Sequence, residues 1–215
     1  MANALYLSHI VLGFGAAAAA IVALLVGKGT DWHRWAGWAF VVGMGVAAVT
    51  TYTFMPGDFR PLAIIQASTT IYALGMAILA IKPRWSGART GEWALFAWLL
   101  LIMAGIVATG IALFVSGGRV APGPMAFFAI LAFFAVLDWR YLRAGAVGRI
   151  DRLKRHALRM ALAVSETVRA PLLTFADDLQ IPFPAIVFGT FLLVPLVYFA
   201  FTPAILRGRY QVRPA

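Results

Sequence analysis

A chain of 215 residues that is 62% hydrophobic and only 12% charged carries too much apolar surface for a water-soluble domain of its size. Its formal charge of +10 would point to nucleic acid in a soluble protein. Distributed between apolar runs, the same charge reads as loop residues facing anionic lipid, so membrane lipids and not nucleic acid are the expected partners. With no cysteine there is no disulfide, thiolate metal site, iron–sulfur cluster or covalently attached haem.

Apolar runs of about 20 residues match a hydrocarbon core roughly 30 Å thick. They predict a single integral-membrane domain over 1–215, an all-α polytopic bundle of seven transmembrane helices at about 4–26, 32–55, 61–82, 92–116, 122–142, 154–175 and 184–206. The first run has no Lys or Arg before it, which suits an uncleaved helix with its N-terminus outside. Gly13, Ala17 and Ala20 give it a small-residue face for close packing, and His9 is its one ionisable group. In KGTDWHRW, Thr30 is an expected N-cap and Asp31 suits the positive end of the second helix, which places His33 and Arg34 in its first turn at the membrane surface. Trp32, Trp35 and Trp38 recur as an interfacial belt. After a turn at Pro56-Gly57-Asp58, the third helix starts at Pro61. Gln66, Ser68, Thr69, Thr70 and Tyr72 crowd its first half, too many polar groups for a helix that faces only lipid.

The fourth run carries an Ala104, Ala108, Ala112 packing stripe, and the fifth ends at Trp139 and Tyr141. The sixth is the reluctant one. Arg159, Glu166 and Arg169 each cost about 2.5 to 3.5 kcal/mol near a bilayer centre, so this helix is expected inside the bundle, sheltered from lipid. Counting it as a span puts all but Arg60, Arg119 and Arg169 of the 18 Lys and Arg on the inner side, with the C-terminus cytoplasmic. Glu166 and Arg169 then lie at a depth comparable with Gln66, Thr69, Thr70 and Thr190, residues expected to line a polar pocket. Pro171 frees the carbonyl of Thr167 beside them. His33 and His156 fall at one inner depth on different helices, the minimum for a bis-imidazole haem. Each feature also has a plainer reading: head-group contacts for His33 and His156, a packing residue for His9, a buried ion pair for Glu166 with Arg169, and interhelical glue for the hydroxyls.

The elements His9-Ile10 with Leu12-Gly13, His33-Arg34 followed by Gly37, Asp138 to Arg143, and Arg155-His156 with Arg159-Met160 resemble an uncharacterised family of bacterial multi-pass inner-membrane proteins. The resemblance implies the bacterial inner (cytoplasmic) membrane and a shared set of His and Arg positions, without an activity. The His-Arg…Gly element is also similar to membrane cytochromes with bis-histidine haem, although helices 3, 4, 5 and 7 contain no histidine and so lack the stacked ligand pairs of those proteins.

Three functional classes follow. The leading one binds a small redox cofactor or lipid-soluble ligand, haem b or quinone, with His33, His156 and His9 as cofactor residues and Glu166, Arg169, Arg159, Gln66, Thr69 and Thr70 as a polar pocket. The others are proton- or anion-coupled transport through Glu166 and Arg169, and an accessory subunit or assembly factor held to other membrane subunits by its packing stripes. No HExxH zinc site, phosphate-binding glycine loop or nucleophile with a paired base is present, so no metal site or hydrolase is expected, and whether the protein is an enzyme stays open.

Overall fold

The computed structural model of the protein describes residues 2–53, 61–118, 122–145 and 148–206. The Pro56-Gly57-Asp58 turn, Arg60, Arg119 and the tail arginines Arg207, Arg209 and Arg213 lie outside the described residues. The elements in order are α1 (Ala2–Leu25), α2 (Asp31–Thr51), α3 (Pro61–Ile81), α4 (Ala88–Val115), α5 (Pro122–Arg143), α6 (Arg149–Thr174) and α7 (Phe183–Leu206). Five of them, α1, α3, α4, α5 and α7, are long and apolar enough to cross a membrane, as in an integral membrane protein. α2 and α6 differ in composition: α2 opens on Asp31, His33 and Arg34, and α6 carries charge along much of its length.

Local chemistry sets the helix ends. The Thr30 hydroxyl accepts from the His33 backbone N–H at 3.3 Å, and Asp31 occupies the first turn of α2. α3 starts at Pro61, where the missing N–H costs nothing. α4 starts at Ala88, four residues ahead of its apolar run, because Gly87 at φ 77° makes the left-handed turn that launches it. α6 likewise starts at Arg149, within the charged stretch, after Gly148.

α3 and α6 form the middle of the bundle. α3 packs on α2, α4 and α6, while α6 packs on α3, α7 and α1 and pairs its charges with α4 and α5. Gln66, Ser68, Thr69, Thr70 and Tyr72 of α3 are all buried, and so is α6 at Arg155, Arg159, Ser165, Glu166, Thr167 and Arg169. Only packing by other helices can hold that many polar groups away from lipid, because no water in hydrocarbon would satisfy them.

The small-residue faces fall differently from their sequence pattern. On α1 the buried face is Ala16, Ala20 and Ala23, one position round from Gly13 and Ala17. On α4 the Ala104, Ala108 and Ala112 stripe is exposed, and the helix packs through Phe96, Leu99, Ile102 and Ile106. Larger side chains bury more area per contact, so they take the inward face of α4. A close approach of helix backbones occurs elsewhere: a Cβ added at Gly43 of α2 would sit 3.0 Å from Ala16 Cβ and 3.2 Å from the Leu12 carbonyl oxygen. Gly43→Ala should therefore cost about 1–3 kcal/mol in thermal unfolding in detergent, through overpacking. Gly37→Ala should lose nothing, since no atom lies within 4 Å of its added Cβ.

Candidate functional site: a buried ionic core and a pair of histidines

Side-chain contacts gather one set of helix ends. Ala23 near the end of α1 meets His33 at the start of α2, and Ala77 near the end of α3 meets His156 early in α6. Leu142 at the end of α5 meets Arg89 at the start of α4, and Lys28 lies over the Phe201 ring of α7 at 4.1 Å. This is the basic end of the bundle. His9 with Thr50 and Tyr52 with Ser68 belong to the opposite, far end.

Two ionic clusters occupy the interior. In the first, near the basic end, Asp138 of α5 is wholly buried and takes donors from three directions. Tyr72 donates its hydroxyl, Arg155 donates Nε at 3.2 Å and Nη2 at 3.1 Å, and Arg159 donates Nη2 at 2.5 Å. Glu92 of α4 accepts from Arg155 Nη1 and, at 3.3 Å, from Arg89. The guanidiniums are stacked as well as paired: Arg155 lies 3.7 Å from the Tyr141 ring centroid and Arg159 lies 4.3 Å from that of Phe134. Two buried arginines face two buried carboxylates, so the charge closes without a bound ion.

The second cluster lies further along α6. Arg169 donates Nη1 to Glu166 at 2.7 Å and Nε to Thr190 of α7 at 2.7 Å, and lies against the rings of Phe191 (3.7 Å) and Phe127 (4.7 Å), which pack edge-to-face on each other. Gln66 of α3 donates to the backbone carbonyl of Glu166 at 2.9 Å, and Thr70 donates to the carbonyl of Gln66. Glu166, Arg169 and Gln66 therefore meet, while Thr70 bonds back within α3 and Thr69 is its neighbour there. Arg159 does not join this group; it belongs to Asp138, two helical turns away. The expected polar pocket is thus two ion-paired clusters packed in protein, and the grooves between α3, α4 and α5 are apolar, lined by Pro61, Ile65, Ile106 and Phe128 among others.

The histidines divide in the same way. His33 Nδ1 lies 3.0 Å from the Ala23 carbonyl oxygen and His156 Nδ1 lies 2.9 Å from that of Ala77. A carbonyl only accepts, so each ring carries its proton on Nδ1 and presents Nε2 as a bare lone pair. Lys28 shares this corner: its Nζ donates to the carbonyls of Ala23 at 2.6 Å and Leu24 at 2.7 Å, capping α1. Burial pulls its amine down to about 8, so it is an ammonium cap below that pH and loses the charge above it. His9 stands apart. Its Nδ1 bonds Thr50 at 3.0 Å, and 14 residues, roughly 21 Å of helix at 1.5 Å per residue, separate it from Ala23.

Asp138 and Glu92, the acids that hold the first cluster together, escaped the sequence reading of the site. Their signal was present: each is an isolated acid at the edge of an apolar run, and intramembrane acids are functional or paired by default. Comparison of the chain with family models, with curated proteins and with solved structures finds no match.

Proposed function

We propose that the protein is a seven-span bacterial inner-membrane protein, N-terminus outside and C-terminus cytoplasmic, that binds haem b between His33 and His156. With 21 and 26 residues, α2 and α6 are about 32 and 39 Å long at 1.5 Å per residue, enough to cross beside the five apolar helices. The basic end carries Lys28, Arg34, Lys82, Arg84, Arg89, Arg140 and Arg143, the residues expected to face the cytoplasm and its anionic lipid.

The observation that carries the haem reading is the shared tautomer. A ligating histidine commonly donates its other ring N–H to a carbonyl or carboxylate, which orients the ring and raises its basicity. Both His33 and His156 do this, on carbonyls of two other helices. Two imidazoles suffice for haem because the porphyrin supplies the remaining four nitrogens, whereas a structural zinc ion takes four protein ligands. Among the described residues no group of three or more His, Asp or Glu gathers to hold such an ion. The same lone pairs disfavour a quinone, whose carbonyl oxygens have no proton to give them.

Haem added to the purified apoprotein should give a Soret band and the sharp visible bands of low-spin bis-imidazole iron. His33→Ala and His156→Ala should each abolish the low-spin signature, while His9→Ala should retain it. A wild-type protein that takes up no haem, or a low-spin spectrum that survives both substitutions, would refute the assignment.

A further inference from the structure

Five buried side-chain atoms have no hydrogen-bond partner among the described residues: Arg159 Nε and Nη1, Thr69 Oγ1, Glu166 Oε2 and Arg169 Nη2. Four of them are on α6 and the fifth, Thr69 Oγ1, is on α3 across from it; the Arg169 guanidinium turns toward Thr190 and Phe191 of α7 and Phe127 of α5 and joins the others through its ion pair with Glu166. α3 and α6 run antiparallel with matched steps, Ala77 against His156, Met76 against Arg155, Tyr72 beside Arg159 and Gln66 against Glu166. Thr69 lies midway between Tyr72 and Gln66, which sets it opposite the stretch of α6 between Arg159 and Glu166. Those two are seven residues apart, two turns on one helix face, or about 10 Å.

The chemistry of the unmatched atoms names what fills the gap. Arg159 and Arg169 offer donors only, the Glu166 oxygen accepts only, and the Thr69 hydroxyl does both. A bound anion or cation would unbalance the buried charges, which cancel, Arg155 and Arg159 against Glu92 and Asp138, and Arg169 against Glu166, while Arg89 at the half-exposed end of the first cluster faces solvent. A neutral ligand that both donates and accepts is required, small enough for a helix–helix seam, and buried polar groups of this kind are ordinarily satisfied by internal water.

We propose that internal water occupies the α3–α6 seam, bridging Arg159 through Thr69 to Glu166 and Arg169 and joining the two ionic clusters into one hydrogen-bonded path. At its other end the path continues through Asp138, Arg155 and Glu92 to Arg89, whose side chain is 43% exposed at the basic end. The Glu166 carboxylate, itself sealed from solvent, is thereby connected to that surface.

Hydroxyl-radical footprinting of the full chain in lipid nanodiscs tests this, because radiolysis of bound water oxidises the side chains beside it. Tyr72 and Phe40 are reactive aromatics with 0% and 1% exposure, the first at the seam and the second on α2. Tyr72 should be oxidised several-fold faster than Phe40. Thr69→Val should bring Tyr72 down to the rate of Phe40, and Thr69→Ser, which keeps the hydroxyl, should leave it high. Equal, slow oxidation of Tyr72 and Phe40 in the wild type would overturn the proposal whatever the variants do, as would undiminished Tyr72 oxidation in folded Thr69→Val.

Discussion

Asp138→Leu should be the most damaging single substitution in the protein. The carboxylate is the shared acceptor of Tyr72, Arg155 and Arg159, all of them buried. Its removal leaves Arg159 without a counter-charge and Arg155 with Glu92 alone. Uncompensated burial of one charge costs about 3–5 kcal/mol, which for a chain of this size lowers a reversible melting temperature by roughly 6–20 °C. Thermal unfolding in detergent, followed by circular dichroism, should show a loss in that range or a failure to accumulate folded protein. Glu92→Gln should cost less, since Arg155 keeps both hydrogen bonds to Asp138 and the amide oxygen still accepts from it, although one buried positive charge is left unbalanced. A loss below about 1 kcal/mol for Asp138→Leu, the size of an exposed ion pair, would show that the cluster is solvated and not sealed.

The second large effect is a reversal. Glu166→Leu and Arg169→Met should each destabilise by about 3–5 kcal/mol, because each strands a fully buried partner. The double variant should recover most of that loss. Methionine packs its thioether against the Phe127 and Phe191 rings where the guanidinium lay, Thr190 still donates to the Ile186 carbonyl, and Gln66 bonds a backbone oxygen that neither change removes. A double-mutant cycle on unfolding free energies should give a coupling of about 5–8 kcal/mol, larger than either single loss. Strict additivity would mean that the pair does not act as a unit. Stability can thus return with the charges gone, so retention of the pair in a functional assay would have to be explained by something other than folding.

How much of this was legible depended on which physical signal a residue carries. Helix number and the starts at Thr30-Asp31 and Pro61 follow from apolar run length, capping and proline geometry, all local properties. The burial of α6 followed from energetics, since its charges exclude exposure to hydrocarbon. Partner choice did not follow. Arg159 and Glu166 sit on one face at helical spacing and read as one pocket, yet Arg159 pairs with Asp138 from α5, because neighbours in a bundle are fixed by interhelical packing that no single-helix pattern encodes. The alanine stripe of α4 failed for a related reason. Spacing shows that a face can pack closely, while the competition with Phe96, Leu99 and Ile106 decides whether it does. The Nδ1 bonds of His33 and His156 are tertiary as well, made to carbonyls 10 and 79 residues away.

The placement of α6 also constrains how the chain is made. A segment this polar does not partition from the translocon into lipid unaided, and its counter-charges Asp138 and Glu92 stand on helices synthesised before it. On the seven-span reading proposed above, insertion of α6 would follow that of α4 and α5, whose Glu92 and Asp138 neutralise it. The α6–α7 hairpin would then dock last onto the five helices made before it, with α3 as the wall that receives it.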